Sequence, residues 1–195
     1  MMDELSLNIL DIAQNSIAAE ASLVEIIISE NDSSDTLVIS IKDNGKGMSP
    51  EFLSTVEDPF VTTRTTRKIG LGISFFKEAA EMTGGNLLIE SDIGVGTTIT
   101  AAFKKSHIDR QPMGDLTGTI IALVTLNPDV DFILEYKVRN AHAVNENVFI
   151  FSTLEVKEML GSDTSLSNPQ VANFLTEYVS EHINNLFILD IKGAE

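Results

Sequence analysis

The segment Asp43–Met48, with the sequence D-N-G-K-G-M, places the tightest constraint on how this chain can fold. It follows the apolar stretch Leu37–Lys42, which reads as a strand, and precedes a Ser-Pro pair typical of a helix start. Gly45 and Gly47 allow positive φ angles and a close approach of the backbone to a ligand. At the end of the strand, the carboxylate of Asp43 can accept a hydrogen bond from an amino group held against these glycines. We therefore interpret the loop as a candidate ligand site, with an ordinary turn as the alternative.

Two familiar glycine-containing loops are excluded. A calcium loop of the EF-hand type needs oxygen ligands at the positions that Gly45 and Gly47 occupy. A P-loop needs Gly-Lys followed by Ser or Thr, and that sequence does not occur in the chain.

Composition and charge exclude several classes of partner and site. The chain has 195 residues and a net charge of −16, and both parts are acidic when it is divided near Arg110, which argues against a general nucleic-acid surface. The absence of cysteine excludes disulfides and thiolate metal sites. The longest apolar run, Thr119–Leu126, is shorter than the ~20 residues that cross a bilayer. With no signal-peptide pattern at the N-terminus, we expect a cytoplasmic protein that does not bind membranes.

The first hundred residues read as alternating helices and hairpins. Apolar residues recur at helical spacing over Leu5–Ala19, and Asp11 and Asn15 project from the same side of that helix. A solvated face is the alternative reading of this polar pair. The remaining elements expected are strands at Ser22–Ser29, Leu37–Lys42, Asn86–Ser91 and Thr97–Phe103, a short helix at Pro50–Thr55, and a longer helix opened by Gly70–Ile73 and continuing to about Met82.

A dense basic cluster precedes that longer helix. The stretch Val61–Ile69 contains four threonines and the cations Arg64, Arg67 and Lys68 in an otherwise acidic chain. It leads directly into Gly70–Ile73, where backbone N–H groups at a helix N-terminus can approach a phosphate. A solvated loop is the alternative, but the pairing of cations with these glycines favours phosphate binding.

The order of these motifs resembles that of the GHKL superfamily, which includes histidine kinase catalytic domains, gyrase B, MutL and the ninety-kilodalton heat-shock chaperones. Asp11–Ala21 is similar to the N box, with a MutL-like character, and D-N-G-K-G-M to the G1 box. Asp58–Arg64 resembles the F box of histidine kinases, Gly70–Ile73 the G2 box, and Gly94–Thr98 the last glycine motif. The resemblance covers about residues 5–103.

This resemblance implies an α+β Bergerat fold, a two-layer α/β sandwich, and a site for ATP and Mg²⁺. Asn15 would be the Mg²⁺ ligand and Asp11, where the family usually has Glu, the catalytic general base. Asp43 would accept the adenine amino proton. The other residues that the resemblance implies in cofactor binding are Gly45, Gly47 and Met48 around the base, Phe60, Thr62, Thr63 and Arg64 in the lid, Gly70, Leu71 and Gly72 at the phosphates, and Thr97 on the adenine side.

Residues beyond the motifs are expected to form a second unit. We divide the chain into an ATP-binding domain at 1–105, a linker at 106–116 and a small α/β domain of unknown role at 117–195, packed on its own sheet. The strands expected there are Thr119–Leu126, Asp131–Val138 and Asn147–Ser152, and the helices are Thr153–Leu160 and Pro169–Phe187. The apolar stripe of the last helix is expected to be core, with a partner groove as the alternative.

Three functional hypotheses remain open. The first is a signalling protein that binds Mg·ATP and phosphorylates, or otherwise regulates, a protein partner in trans, because few residues precede the N box and a phosphoacceptor hairpin is not expected. The second is a conformational ATPase of the MutL and gyrase kind, in which lid closure drives homodimerisation or partner capture. The third is a nucleotide sensor without turnover, because Asp11 is one methylene shorter than Glu.

Overall fold

The computed structural model describes residues 4–56, 71–141, 145–161 and 165–188. Those ranges contain six helices and six strands, and most of the predicted elements are confirmed within a few residues. In chain order they are α1 (Leu5–Ala18), β1 (Leu23–Asn31), β2 (Thr36–Asp43), α2 (Pro50–Val56), α3 (Leu71–Glu81), β3 (Asn86–Asp92), β4 (Gly96–Lys104), α4 (Leu116–Leu126), β5 (Asp131–Arg139), β6 (Asn147–Ser152), α5 (Thr153–Leu160) and α6 (Pro169–Ile188).

A single mixed sheet carries the fold, with the strand order β3-β4-β2-β1-β5-β6. The β1–β5 pair is parallel, and the other neighbouring strands pair antiparallel. Alternate side chains of the strands are buried, as Ile26 on β1 and Ile39 on β2 illustrate, and they join one hydrophobic core with the helices. The helices contact one another in the order α3, α1, α4 and α6. The predicted α+β two-layer sandwich is confirmed.

The prediction of a strand at Thr119–Leu126 is wrong, because this segment lies in helix α4. A short, uninterrupted apolar run fits a buried helix as well as a buried strand, since neither leaves a polar face to set the period. Asp115 decides the outcome locally: its side chain accepts a hydrogen bond from the Gly118 N–H at 2.8 Å and caps the helix.

The expectation that residues 117–195 pack on a sheet of their own is also wrong. Strand β5 lies beside β1 in parallel register, from Leu23 with Asp131 to Asn31 with Arg139, so the sheet continues across the predicted boundary. The main-chain N–H and C=O groups of β1 that point away from β2 need hydrogen-bond partners, and β5 provides them. The division into two domains itself stays a prediction.

The predicted linker holds the start of helix α1. The N–H groups of Leu5 and Ser6 donate to the carbonyl oxygens of Pro112 and Met113, at 3.0 and 2.9 Å. These N–H groups have no partner within their own helix, and the linker backbone supplies it. Within the described ranges no helix is both long and apolar enough to cross a bilayer.

Candidate functional site

The side chain of Asp43, at the end of strand β2, is nearly buried and well held. Only 8% of the residue is exposed, and three donors hold its carboxylate. Oδ1 accepts from the N–H groups of Gly45 at 2.9 Å and Thr97 at 3.2 Å, while Oδ2 accepts from the hydroxyl of Ser16 at 2.7 Å. Charge-assisted bonds of this kind fix the orientation of a carboxylate. Residues of α1, β2 and β4 therefore meet at this one group.

The glycines around Asp43 let two loops approach each other closely. At Gly47, where φ is +66°, an added Cβ would lie 2.0 Å from the carbonyl oxygen of Asp92. At Gly96, where φ is +132°, it would lie 1.9 Å from the carbonyl oxygen of Asp43 itself. Real Cβ atoms do not approach backbone oxygens so closely. The glycine-rich loop and the β3–β4 turn can therefore pack together only without side chains at these positions.

Replacing Gly96 tests this packing, and the same turn offers a matched control in Gly94. We expect Gly96→Ala to lower the free energy of unfolding by at least about 2 kcal/mol, because the new methyl group overlaps the β2 backbone. Gly94 also has a positive φ, of +75°, but an added Cβ there meets nothing within 4 Å. Gly94→Ala should thus cost only about 1 kcal/mol of backbone strain. Denaturant unfolding of both variants checks the difference, and equal losses would contradict the packing argument.

Ser91 joins the two loops through its hydroxyl. Its Oγ accepts from the Met48 N–H at 2.9 Å, lies 3.0 Å from the carbonyl oxygen of Gly96, and lies 2.9 Å from the hydroxyl of Thr97. A pocket of about 140 Å³ opens here, and Asp43, Ser91 and Thr97 are among the residues that line it. The structure thus brings the predicted residues Asp43, Gly45, Gly47, Met48 and Thr97 together where strand β2 ends. Two of them, Asp43 and Thr97, line the pocket.

Sequence reasoning missed two serines of this site. Ser16 follows Asn15 on α1 and is buried, with 3% of its surface exposed. Ser91 lies directly opposite Thr97 in the β3–β4 register. Two signals were available: a buried hydroxyl on an otherwise apolar helix face needs a partner, and a serine opposite a threonine on a hairpin can share a hydrogen bond.

Asp11 and Asn15 lie on the same helix as Ser16, one turn apart, and both are partly buried. Neither side chain makes a hydrogen bond to the part of the chain that the structure describes, which leaves both free to contact a ligand. Burial raises the pKa of the Asp11 carboxyl above its usual value. A Cβ added at Gly72 would lie 3.0 Å from Asp11 Oδ2, so this carboxylate faces the first turn of α3.

Several predicted residues lie outside the described ranges. Phe60, Thr62, Thr63, Arg64 and Gly70 belong to residues 57–70, and their predicted roles stay predictions. Leu71 begins α3 and Gly72 is buried in its first turn. In the described part of the chain, Leu71 and Gly72 are the first residues of α3, and Gly72 faces Asp11. Their role in binding phosphate stays a prediction.

Comparison with known proteins identifies two histidine-kinase-type relatives that match part of the chain. SaeS, a histidine protein kinase of Staphylococcus epidermidis, is 32% identical over 109 residues, which cover 53% of this chain and 31% of that kinase. The sensor kinase CckA of Brucella abortus is 28% identical over 151 residues, covering 68% of this chain and 16% of that kinase. The chain thus spans a third or less of the length of these relatives.

Two solved structures and one family model complete the comparison. The Aquifex aeolicus MutL ATPase domain complexed with ADP matches with a TM-score of 0.47 and 17% identity, over 70% of this chain and 61% of that one. The N-terminal domain of a DNA repair protein matches with a TM-score of 0.49 and 14% identity, over 75% and 52%. The model of the histidine kinase-, DNA gyrase B- and HSP90-like ATPases matches residues 1–107, more than half of the chain. The chain therefore belongs to the family of histidine kinase-, DNA gyrase B- and HSP90-like ATPases.

Proposed function

We propose that this protein binds Mg·ATP at the pocket beside Asp43 and acts in signalling, by phosphorylating or otherwise regulating a protein partner. The observation that carries the proposal is the Asp43 carboxylate, which is nearly buried and held by Ser16, Gly45 and Thr97. Asp43 is also one of the residues that line a pocket of about 140 Å³. Three hydrogen-bond donors orient the Asp43 carboxylate, which forms no ion pair with a cation among the described residues. Such an arrangement suits recognition of a donor on a ligand better than it suits a structural ion pair.

The acceptor character of Asp43 suits the amino edge of adenine. An ionised carboxylate only accepts hydrogen bonds, so Asp43 would accept from an exocyclic amino group. A guanine base presents a carbonyl oxygen at the corresponding position, and that oxygen would repel the carboxylate. The hydroxyl of Thr97, which is 2.9 Å from Ser91 Oγ, lies on the same side and can contact the base. The proposal thus assigns base selection to Asp43, with Thr97 in support.

A magnesium ion fits the α1 side of the site only together with phosphate oxygens. In the described ranges, no group of three or more Asp, Glu or His side chains could hold a metal by itself. Asn15 offers a neutral amide oxygen that makes no hydrogen bond with the described residues. Mg²⁺ accepts one or two protein ligands when phosphates and water complete its octahedron. When bound, this metal would neutralise the negative charge that develops on the phosphate oxygens during phosphoryl transfer.

Two candidate reactions of the bound ATP each have separate support. The histidine kinase relatives favour transfer to a protein side chain, and this chain would then act on a phosphoacceptor in trans or as part of a longer kinase. A second candidate is ATP hydrolysis, which the position of Asp11 favours: a partly buried carboxylate, free of hydrogen bonds within the described ranges, faces the first turn of α3. The two candidates differ in product, a phosphoprotein in one case and free phosphate in the other.

Calorimetric titration with a non-hydrolysable ATP analogue, with and without Mg²⁺, tests the proposed binding. We expect dissociation constants in the micromolar to sub-millimolar range with Mg²⁺, and clearly weaker binding without it. The protein concentration should be about 0.1 mM, which is comparable to the expected dissociation constants. The absence of any heat of binding under both conditions would contradict the proposal.

Asn15→Ala tests the metal assignment. This change should remove most of the difference in analogue affinity between Mg²⁺ and metal-free buffer, because the protein then offers no amide oxygen to the metal. Affinity for AMP, which lacks the β- and γ-phosphates, should stay unchanged, since the adenine contact at Asp43 is intact. Gln14→Ala is the matched control, because Gln14 is the neighbouring amide and is exposed. A full metal effect in the Asn15 variant would show that the metal is held elsewhere.

A further inference from the structure

A second and larger cavity lies away from Asp43, in the part of the chain without a recognised motif. It occupies about 450 Å³ between β6, α5 and the N-terminal half of α6, and we refer to it as the α5–α6 cleft. Ile150 and Phe151 line it from β6, Met159 from α5, and Phe174 and Tyr178 from α6. Cavities of this size are large enough to hold several buried side chains or a small ligand.

The cleft leaves large apolar side chains open to water. Phe174 is 63% exposed, Met159 84% and Ile150 55%, although the neighbouring Leu175 is fully buried. The apolar stripe of α6 was expected to be core, but only part of it, including Leu175, is buried, and Phe174 is exposed in the cleft. Exposed apolar groups that cluster around one cavity mark binding surfaces more often than isolated exposed residues do.

The charge around the cleft is predominantly negative. Residues 145–161 and 165–188 contain five glutamates and one lysine, and that lysine, Lys157, is 2.7 Å from Asp131 Oδ1. Glu155 lines the cleft. The exposed Glu158 lies one turn from Glu155 on α5, and the exposed Glu177 lies one turn from Phe174 on α6. An apolar cleft with an acidic rim is thus complementary to a ligand with an apolar face and positive charges.

We propose that the α5–α6 cleft binds a cationic amphipathic helix of a partner protein. Four cleft residues of α6, Val171, Phe174, Leu175 and Tyr178, stand at i, i+3, i+4 and i+7 and extend over about 10 Å, the length of two helical turns. A partner helix with apolar anchors at the same spacing can lay them between α5 and α6, and its Lys or Arg residues then meet the glutamates. Anionic lipid surfaces would be repelled by this rim. The proposal does not depend on nucleotide binding, because none of these residues touches the pocket at Asp43.

Fluorescence anisotropy with a designed probe tests the proposal on the full chain. The probe is a labelled peptide of about 14 residues with leucines at i, i+3, i+4 and i+7 and lysines on its other face. Its control is a peptide of the same composition in scrambled order, which keeps the charge and loses the apolar stripe. We expect the striped peptide to bind at least about tenfold more tightly than the scrambled one, and more weakly as salt is raised.

Two double variants localise the binding. The double variant Phe174→Ala with Met159→Ala should weaken binding of the striped peptide by about tenfold or more. Both side chains are exposed enough for the fold to tolerate their loss. Ile108→Ala with Leu126→Ala is the matched control, since these residues are 94% and 78% exposed and lie outside the cleft. Affinity for the ATP analogue should be the same in both, which separates this proposal from the nucleotide site.

Four outcomes would overturn the proposal. Equal binding of striped and scrambled peptides would show a general attraction of positive charge to an acidic chain. Binding that the Phe174/Met159 double variant leaves unchanged would place the peptide elsewhere. A concentration-dependent dimer that the same variant dissociates would make a second copy of this chain the occupant. Binding of a small apolar dye at the cleft without any binding of the peptide would assign the cleft to a small molecule.

Discussion

Asp43→Asn is expected to weaken binding of adenine nucleotides by about 10- to 100-fold while leaving the protein folded. A hydrogen bond to a charged acceptor contributes about 1.5–3 kcal/mol, and every 1.4 kcal/mol is about tenfold in affinity. In the variant, the amide oxygen can keep the contacts of Oδ1 with the N–H groups of Gly45 and Thr97. The amide nitrogen then takes the place of Oδ2, where it can donate to the hydroxyl of Ser16. The same amide nitrogen would face the adenine amino group, and two hydrogen-bond donors facing each other cannot form a hydrogen bond.

A change in base preference separates this explanation from a loss of stability. An amide N–H₂ can donate to the carbonyl oxygen of guanine, so the ratio of ADP to GDP affinity should fall sharply in the Asp43 variant. Titration with both nucleotides measures that ratio, and thermal unfolding shows whether the fold is kept. Asp129→Asn is the control, because Asp129 is exposed in a turn before β5 and lines neither cavity. Unchanged ADP affinity in the Asp43 variant would place the base elsewhere.

The first half of the fold follows from local sequence signals. Strands β1 and β2 have β-branched residues and pair as an antiparallel hairpin across a short polar turn, and α1 has apolar residues at helical spacing. The prediction of Asp43 at the end of β2 rests on such a signal, a carboxylate at a glycine-rich turn. Its donors Ser16 and Thr97 come from 27 and 54 residues away. Their contact with Asp43 depends on tertiary packing, and only Thr97 was indicated, through the family resemblance.

The second half was harder to predict because its deciding contacts are long-range. The parallel pairing of β5 with β1 joins Leu23 to Asp131, across more than a hundred residues, and no local turn indicates it. Helix α4 is apolar on nearly all sides because it packs against both α1 and α6, so its sequence has no polar face to show the helical period. Where a short segment is apolar and largely buried, its local pattern no longer distinguishes a helix from a strand.

Asp11→Asn is expected to lower the rate of phosphate release from ATP by about 100- to 10,000-fold, which is the usual contribution of a general base. Affinity for the non-hydrolysable analogue should change little, since the adenine contact at Asp43 and the amide of Asn15 are untouched. Asp11→Glu keeps a carboxylate on the same helix face and should retain turnover. The steady-state rate of phosphate release, measured for both variants and for the Asp129→Asn control, checks this expectation.

The pH dependence of that rate identifies the group more specifically than the loss alone. Burial raises the pKa of Asp11, so its carboxylate takes up a proton at a higher pH than an exposed aspartate, whose pKa is about 3.9. A general base works only when ionised. The rate should therefore fall as the pH is lowered through this raised pKa, and the residual rate of Asp11→Asn should lack that limb. Full turnover in Asp11→Asn, or an unchanged acid limb, would mean that another group activates the attacking water, and Asp11 would then act only through its contact with the first turn of α3.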